Sequence, residues 1–322
     1  MKVSVCIPVY GVEKYIERCA RSLFEQTMKD DIEFIFVDDC TPDKSIEVLE
    51  KVLEEYPERK DQVKIIRHEV NKGQSGARNT ALQYASGDYI IYCDSDDWVD
   101  KDLYATMYEE AATKNADVVC CGIILENNKN QKTLALTEKK IQDLLKKSFL
   151  TVEFNSLFNK MFLRSIACST DLNIPDNITM AEDLLRTTQM FLKCKNVVIC
   201  PGVYYHYFCC NPSSATSNFS AKAFADSRTA LEILIEKLSE TYPDLADVCR
   251  GQILFSALRV PDVSANDYRN MFDYKTRYRV VCNRYQSFVK RVIIAISLVS
   301  IPLAKFACRI LVYAARQLRA GK

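Results

Sequence analysis

Residues 88–100, "DYIIYCDSDDWVD", run an apolar stretch straight into four carboxylates, Asp94, Asp96, Asp97 and Asp100. The apolar half reads as a buried strand. A single Asp after a strand serves as a turn or helix cap. Asp94, Asp96 and Asp97 fall within four residues, where they repel one another unless a cation or a ring of donors compensates them. The stretch therefore predicts a metal or ligand site at the end of a strand, with Asp100 as cap of the next helix.

Similar apolar runs precede it. "KVSVCIP" (2–8), "IEFIFVDD" (32–39), "VKIIRH" (63–68) and "DYIIYCD" (88–94) are strand candidates about thirty residues apart. Helical patterns separate them, in "VEKYIERCARSLFEQT", "SIEVLEKVLEEY" and "SGARNTALQYA". Alternation with this period predicts βαβ units on a mostly parallel sheet flanked by helices, an α/β Rossmann-like class. Ligands of such sheets bind beyond the carboxyl ends of the strands, where Asp38-Asp39 and the quoted cluster both lie. Further along, residues 116–125 predict a fifth strand, 136–150 an amphipathic helix, and "NVVICPGVYYHYF" another strand. A helix is expected from near Met180, and a further helical segment over 221–259.

Composition narrows the chemistry. The chain has 322 residues, ordinary charge and apolar content, fourteen cysteines without a C-x-x-C, and only His68 and His206. These read as reduced core thiols of a cytosolic protein, and a histidine-rich zinc site is excluded. The net charge of +1 conceals a segregation: eleven Lys and Arg and no acid between Tyr274 and Lys322, against 32 basic and 42 acidic residues elsewhere. No two of the eight glycines form G-x-G, and G-x-x-x-x-G-K-[ST] is absent. A diphosphate here is then neutralised not by a glycine-rich loop but through a hard cation, Mn²⁺ or Mg²⁺, held by the Asp cluster.

With these segments in order, "VSVCIPVYGVEKYIERCARSLFEQT", "IEFIFVDDCTPDKS", "NKGQSGARNTAL" and "GDYIIYCDSDDWVD", the sequence resembles family 2 of the inverting nucleotide-sugar glycosyltransferases, which have the GT-A fold. The resemblance is specific over residues 1–110 and thinner to about 215. The helical pattern predicts an extension over 216–273 and the charge segregation a basic, apolar segment over 274–322, while the resemblance implies a catalytic domain over 1–215. It further implies that Pro8, Val9 and Tyr10 line a nucleobase pocket and that Asp39, supported by Asp38, accepts a hydrogen bond from uracil. Arg78 enters the nucleotide site in this reading; a solvated helix position is the alternative. Asp94 and Asp96 become the D-x-D pair around Ser95, Asp94 nearer the ribose and Asp96 on the metal, with Asp97 on metal or donor sugar. Thr41 and Pro42 read as the cap and first residue of the next helix.

Inversion is a single displacement and needs one base. "MAEDLL" offers Asp183, with Glu182 as neighbour and reserve, in the first turn of a helix where carboxylates stay ionised. Three departures from the family pattern stand out: Gly11 for the usual Asn, Cys40-Thr41 for Gly-Ser, and Ala181 for the Gly before Glu-Asp. A processive synthase would need Q-x-x-R-W, which the only tryptophan, Trp98, does not provide. A nucleotidylyltransferase would need a glycine-rich N-terminal loop. The remaining rival is a nucleotide-sugar-binding protein of the same fold without transfer.

The resemblance implies a UDP-sugar donor and a saccharide or lipid-linked acceptor in surface polysaccharide synthesis; no nucleic acid partner is expected. At the C-terminus, "VIIAISLVSIPLA" (292–304) has thirteen residues without charge, shorter than the ~20 needed to span a bilayer. An interfacial helix on an anionic membrane, placing the enzyme peripherally on the inner face, is the expectation; a tilted span, and a helical hairpin packed on the protein or on a second subunit, are the alternatives.

Overall fold

The computed structural model describes residues 1–127, 130–138, 140–211 and 220–319. The chain divides into two compact units, Met1–Ser217 and Asn218–Lys322. The expected boundary at 215/216 lies outside the described residues.

In the first unit the strands β1 (Val3–Val9), β2 (Ile32–Asp38), β3 (Val63–Arg67) and β4 (Tyr89–Tyr92) are all parallel, in the order β3-β2-β1-β4. Helices α1 (Ile16–Phe24), α2 (Ser45–Glu54) and α3 (Gly73–Tyr84) make the crossovers. β1, β2 and β4 are almost wholly buried, as expected of strands covered on both faces. Arg59, in the 3-10 turn Pro57–Gln62, is buried and donates to the carbonyls of Phe24, Gln26, Met28 and Lys29. It thereby satisfies backbone acceptors that the end of α1 and the following loop leave open.

The second half of the sheet is mixed. After β5 (Trp98–Val99) and α4 (Leu103–Lys114) come β6 (Val118–Glu126), β7 (Gln131–Leu134), α5 (Ile141–Ser148), α6 (Val152–Asn155), β8 (Lys160–Leu163), α7 (Arg164–Ala167), α8 (Glu182–Phe191) and β9 (Val197–Phe208). β8 lies between β4 and β6, antiparallel to both, and completes the order β4-β8-β6-β9-β5, with β7 on β6. No periodicity announces β8, because four residues carry none. β9 runs parallel to β6 with a register shift opposite Cys121 and Gly122, which absorbs Pro201 and the left-handed Gly202.

Two cap assignments differ from expectation. α2 begins at Ser45, not at Pro42: the Asp43 carboxylate accepts from Thr41 Oγ1, Ser45 N and Ser45 Oγ and organises the loop, while Thr41 Oγ1 accepts from Gly11 N. Asp100 does not cap α4. Its carboxylate instead accepts from Tyr204 N at 2.9 Å and meets His206 Nε2 at 3.0 Å, because β5 brings it against β9.

The second unit is helical: α9 (Ala221–Leu238), α10 (Pro243–Ala257), α11 (Ala265–Met271), α12 (Tyr274–Cys282), α13 (Phe288–Val299) and α14 (Ile301–Arg319). The segment expected as one helix over 221–259 breaks before Pro243, which sits at the start of α10, where its missing N–H costs nothing. Ser264 and Asp267 form a capping box on α11, and Asp273 and Ser287 cap α12 and α13. No helix among the described residues is long and apolar enough to cross a membrane.

Two substitutions test this backbone. A Cβ on Gly87 would stand 2.6 Å from Ser4 N and 2.7 Å from Val3 C, where strand backbone cannot move aside. Gly87→Ala is expected to destabilise the protein by about 2 kcal/mol or more in urea unfolding. Ala181 adopts the left-handed region at φ 64°, which strains any side chain. Ala181→Gly is expected to add about 0.5–1 kcal/mol, the relieved strain less glycine's extra entropy, in the same measurement.

Candidate active site

Because β1, β2 and β4 are parallel, their carboxyl ends bring Tyr10, Asp39 and Asp94 to one edge of the sheet. Tyr10 is 54% exposed there. Pro8 is half-buried. Val9 differs from expectation: its side chain is buried in the core, as strand alternation dictates, and it contributes its carbonyl, which accepts from Asp39 N at 3.1 Å.

Asp39 is nearly fully buried and held on one oxygen. Its Oδ1 accepts from Lys72 N and meets His68 Nδ1, both at 2.7 Å, while His68 Nε2 contacts Thr80 Oγ1 at 2.8 Å. Beside a carboxylate, which only accepts, the His68 Nδ1 carries a proton. Among the described residues Oδ2 of Asp39 has no partner. Asp38 Oδ1 accepts from Thr41 N and shapes the turn that follows.

The central feature is Arg78. It does not lie on the surface as a solvated helix residue would. It is fully buried, and its Nη2 donates to Asp94 Oδ1 at 2.8 Å while its Nη1 contacts both Glu182 Oε2 and Asp183 Oδ1. Glu182 is also bound by Arg186 Nε at 2.7 Å. Sequence reasoning missed Arg186, although its i,i+4 spacing from Glu182 was visible.

The two acids at the start of α8 are thereby made unlike. Glu182 is 4% exposed with both oxygens committed, so it cannot serve as a reserve base. Burial alone would raise its carboxyl, but the Arg78 and Arg186 guanidiniums outweigh that and hold it low. Asp183 keeps 34% of its side chain open. Its carboxyl is raised, by withdrawal from water and by the Glu182 charge beside it, against the pull of Arg78.

The D-x-D segment separates its members similarly. Asp94 is 17% exposed and receives Gln74 Nε2 at 3.2 Å as well as Arg78. Asp96 is half-buried, with Asn211 Nδ2 on its Oδ2 at 2.8 Å. Ser95 is buried between them. Asp97 departs from expectation: it is fully buried, its oxygens taken by Tyr205 O–H at 2.7 Å and Phe208 N–H at 2.8 Å. Burial, and then the charges of Asp96 and Asp94, push its carboxyl strongly upward. It anchors β9, with both oxygens committed to that strand. The tyrosine also accepts from Asp94 N at 3.0 Å, a long-range contact that no local pattern could have signalled.

Among the described residues no group of three or more His, Cys, Asp and Glu could hold a metal alone. Asp94 and Asp96 still suit a hard cation that draws its other oxygens from a diphosphate and water. Withdrawal from water, and next the Asp94 charge, raise the Asp96 carboxyl against the Asn211 amide and the Arg18 charge, a balance that a divalent ion would shift toward the ionised form.

Comparison with known proteins gives this arrangement a setting. EpsJ of Bacillus subtilis (strain 168), an uncharacterized glycosyltransferase, is 31% identical over 223 residues, which make up 66% of this chain and 62% of EpsJ. TarS of Staphylococcus aureus (strain Mu50), a poly(ribitol-phosphate) β-N-acetylglucosaminyltransferase, is 28% identical over 211 residues, 64% of this chain and 35% of TarS. The aligned part of the chain thus spans less than two thirds of the length of either relative.

The crystal structure of S. aureus TarS 1–349 in complex with UDP-GlcNAc matches with a TM-score of 0.71 at 20% identity, covering 98% of this chain and 92% of that one. A mannosyltransferase from Pyrobaculum calidifontis in complex with GDP-Man and Mn²⁺ matches with a TM-score of 0.57 at 14% identity, covering 96% and 86%. The shared fold is GT-A. Residues 4–170 match glycosyl transferase family 2, more than half of the chain on that same fold, and the chain belongs to this family.

Proposed function

We propose that the protein is an inverting glycosyltransferase that moves a sugar from a UDP-sugar to a hydroxyl of a saccharide or lipid-linked saccharide in surface polysaccharide synthesis. One observation carries the reading. A single guanidinium, Arg78, joins Asp94 of the D-x-D segment to the acids of α8, so the donor end and the base end of the reaction share one fixed reference. The UDP-GlcNAc bound to TarS supports the donor class, and the polymer named for TarS supports the acceptor class.

In this reading Tyr10 and Pro8 receive the base, and Oδ2 of Asp39 accepts the uracil N–H. Mn²⁺ or Mg²⁺ held by Asp94 and Asp96 supplies positive charge against the leaving diphosphate. Asp183 is the base: its open carboxylate takes the proton of the acceptor hydroxyl as that oxygen bonds to the anomeric carbon. The bond from that carbon to the diphosphate oxygen breaks on the opposite face, the nucleoside diphosphate departs, and the configuration inverts. An elevated pKa brings Asp183 closer to the working pH than an ordinary aspartate, which suits a group that must gain a proton. Glu182 and Arg186 take no proton and fix Arg78, hence Asp183. The reaction is placed in the cytoplasm, at the inner face of the membrane where a lipid-linked acceptor would sit.

Asp96→Asn is expected to lose most Mn²⁺-dependent UDP affinity in calorimetry while the circular dichroism spectrum stays unchanged; equal affinity with equal metal dependence would remove Asp96 from the metal. Asp183→Asn is expected to lower kcat by ~10²- to 10⁴-fold and to leave UDP affinity near wild type. The base works only when deprotonated, so wild-type kcat should fall as pH drops through a pKa above the normal carboxylate range. A UDP affinity that collapses together with turnover would place Asp183 in the donor site instead.

A further inference from the structure

Fifteen large apolar side chains stand exposed among the described residues, and ten of them belong to the stretch 274–313. They are not scattered. On α14, Leu303, Phe306, Ile310 and Tyr313 follow one another at steps of three, four and three, which places them along one side of the helix. Ile301, Ala304 and Cys308 are buried and occupy the opposite side. α13 repeats the division, with Phe288 and Val292 exposed and Ile293, Ile294 and Ser297 buried. Each helix therefore has one apolar side used by the fold and another left in water. Ser300 separates the two helices, with Pro302 in the first turn of α14, and neither helix is long and apolar enough to span.

An unpartnered apolar ridge suits a lipid surface or a second protein surface, and charge decides between them. From Tyr274 to Lys322 there are eleven Lys and Arg and no Asp or Glu. Two copies of such a ridge, brought face to face, would oppose cation to cation with no acid to separate them. A leaflet of anionic lipid offers apolar depth to the ridge and phosphate to the cations at once. Arg309 stands exposed on α14 beside the stripe, and Lys275 and Arg284 are exposed on α12 and in the loop that follows it. Lys305 is not part of this set, because its ammonium is spent on the carbonyls of Val260, Pro261 and Val263, which fastens α14 to its own unit.

We infer that α13 and α14 form a monotopic docking surface for an anionic lipid leaflet, with Leu303, Phe306 and Ile310 inserted among the acyl chains and the surrounding cations on the headgroups. The inference deepens the placement proposed above and is independent of the transfer chemistry.

The test is co-sedimentation of the full chain with phosphatidylglycerol-containing and with pure phosphatidylcholine vesicles, at low and at high salt. Alongside it are run the variant Leu303→Ser/Phe306→Ser/Ile310→Ser and analytical ultracentrifugation without lipid. These side chains are already exposed, so the variant should keep the wild-type unfolding midpoint. Wild type is expected to sediment with the anionic vesicles and to weaken at high salt. The triple variant should bind roughly tenfold or more weakly, with UDP affinity unchanged. Wild type remaining in the supernatant with anionic vesicles at low salt, a variant that binds like wild type, or a stable dimer that the same three substitutions dissolve would each overturn the inference. Loss of UDP binding in wild type, with vesicle binding intact, would count against the proposed reaction alone.

Discussion

Arg78 reaches the carboxyl edge of the sheet from α3 with no contact to solvent, and there it meets carboxylates from two segments 88 residues apart, Asp94 and the pair that starts at Glu182, with Asp183. Removing a guanidinium from water is costly and is offset only by close, well-directed acids. The acids need it equally, since without it three negative groups would face one another at the base of the site. Its position is shared by both sides, so neither the D-x-D segment nor the start of α8 can shift alone. The arrangement is also incomplete in a telling way. Nε of Arg78 and the hydroxyl of Tyr92, over whose ring the guanidinium lies at 5.7 Å, are buried and find no hydrogen-bond partner among the described residues, so the cluster concentrates its bonds on carboxylates.

Much of this edge could be read from the sequence because it obeys short-range rules. Apolar runs that end in acids give parallel strands with their functional ends aligned, and the repeat of strand and helix gives their order. What could not be read is which partner each acid takes. Asp94, Asp96 and Asp97 look alike in the sequence, yet the first faces Arg78, the second Asn211, and the third is sealed beneath Tyr205 and Phe208. Those partners arrive from distant segments. Val9 was misread for a simpler reason: a residue named as lining a pocket lies on a strand whose alternation turns its side chain to the core. β8 escaped because a four-residue strand carries no period, and its placement between β4 and β6 is decided only by the sheet.

The three departures from the family pattern share a backbone explanation. Gly11, Cys40 and Ala181 all lie in the left-handed region, with φ of 67°, 57° and 64°. The residues usual at those places, Asn and Gly, are the ones that enter it readily. Gly11 replaces Asn without strain, whereas Cys40 and Ala181 carry a cost that their surroundings must offset. Cys40 gains a thiol contact to the His68 carbonyl at 3.0 Å, next to the imidazole that holds Asp39. Cys40 and Ala181 thus hold, at a cost, a backbone that glycine would adopt freely.

The bond between Tyr205 and Asp97 has a consequence for how the protein comes into being. The acids of residues 94–97 leave the ribosome more than a hundred residues before the tyrosine that orders them. In that interval the parallel half of the sheet can assemble, but Asp97 has no donor and Asp94 lacks the hydroxyl that receives its amide. Contacts of such sequence separation form late, after the entropy of a long loop has been overcome. A nascent chain that stops short of β9 would then hold a half-built sheet with an exposed cluster of repelling acids, a species for chaperones to shelter and for proteases to find.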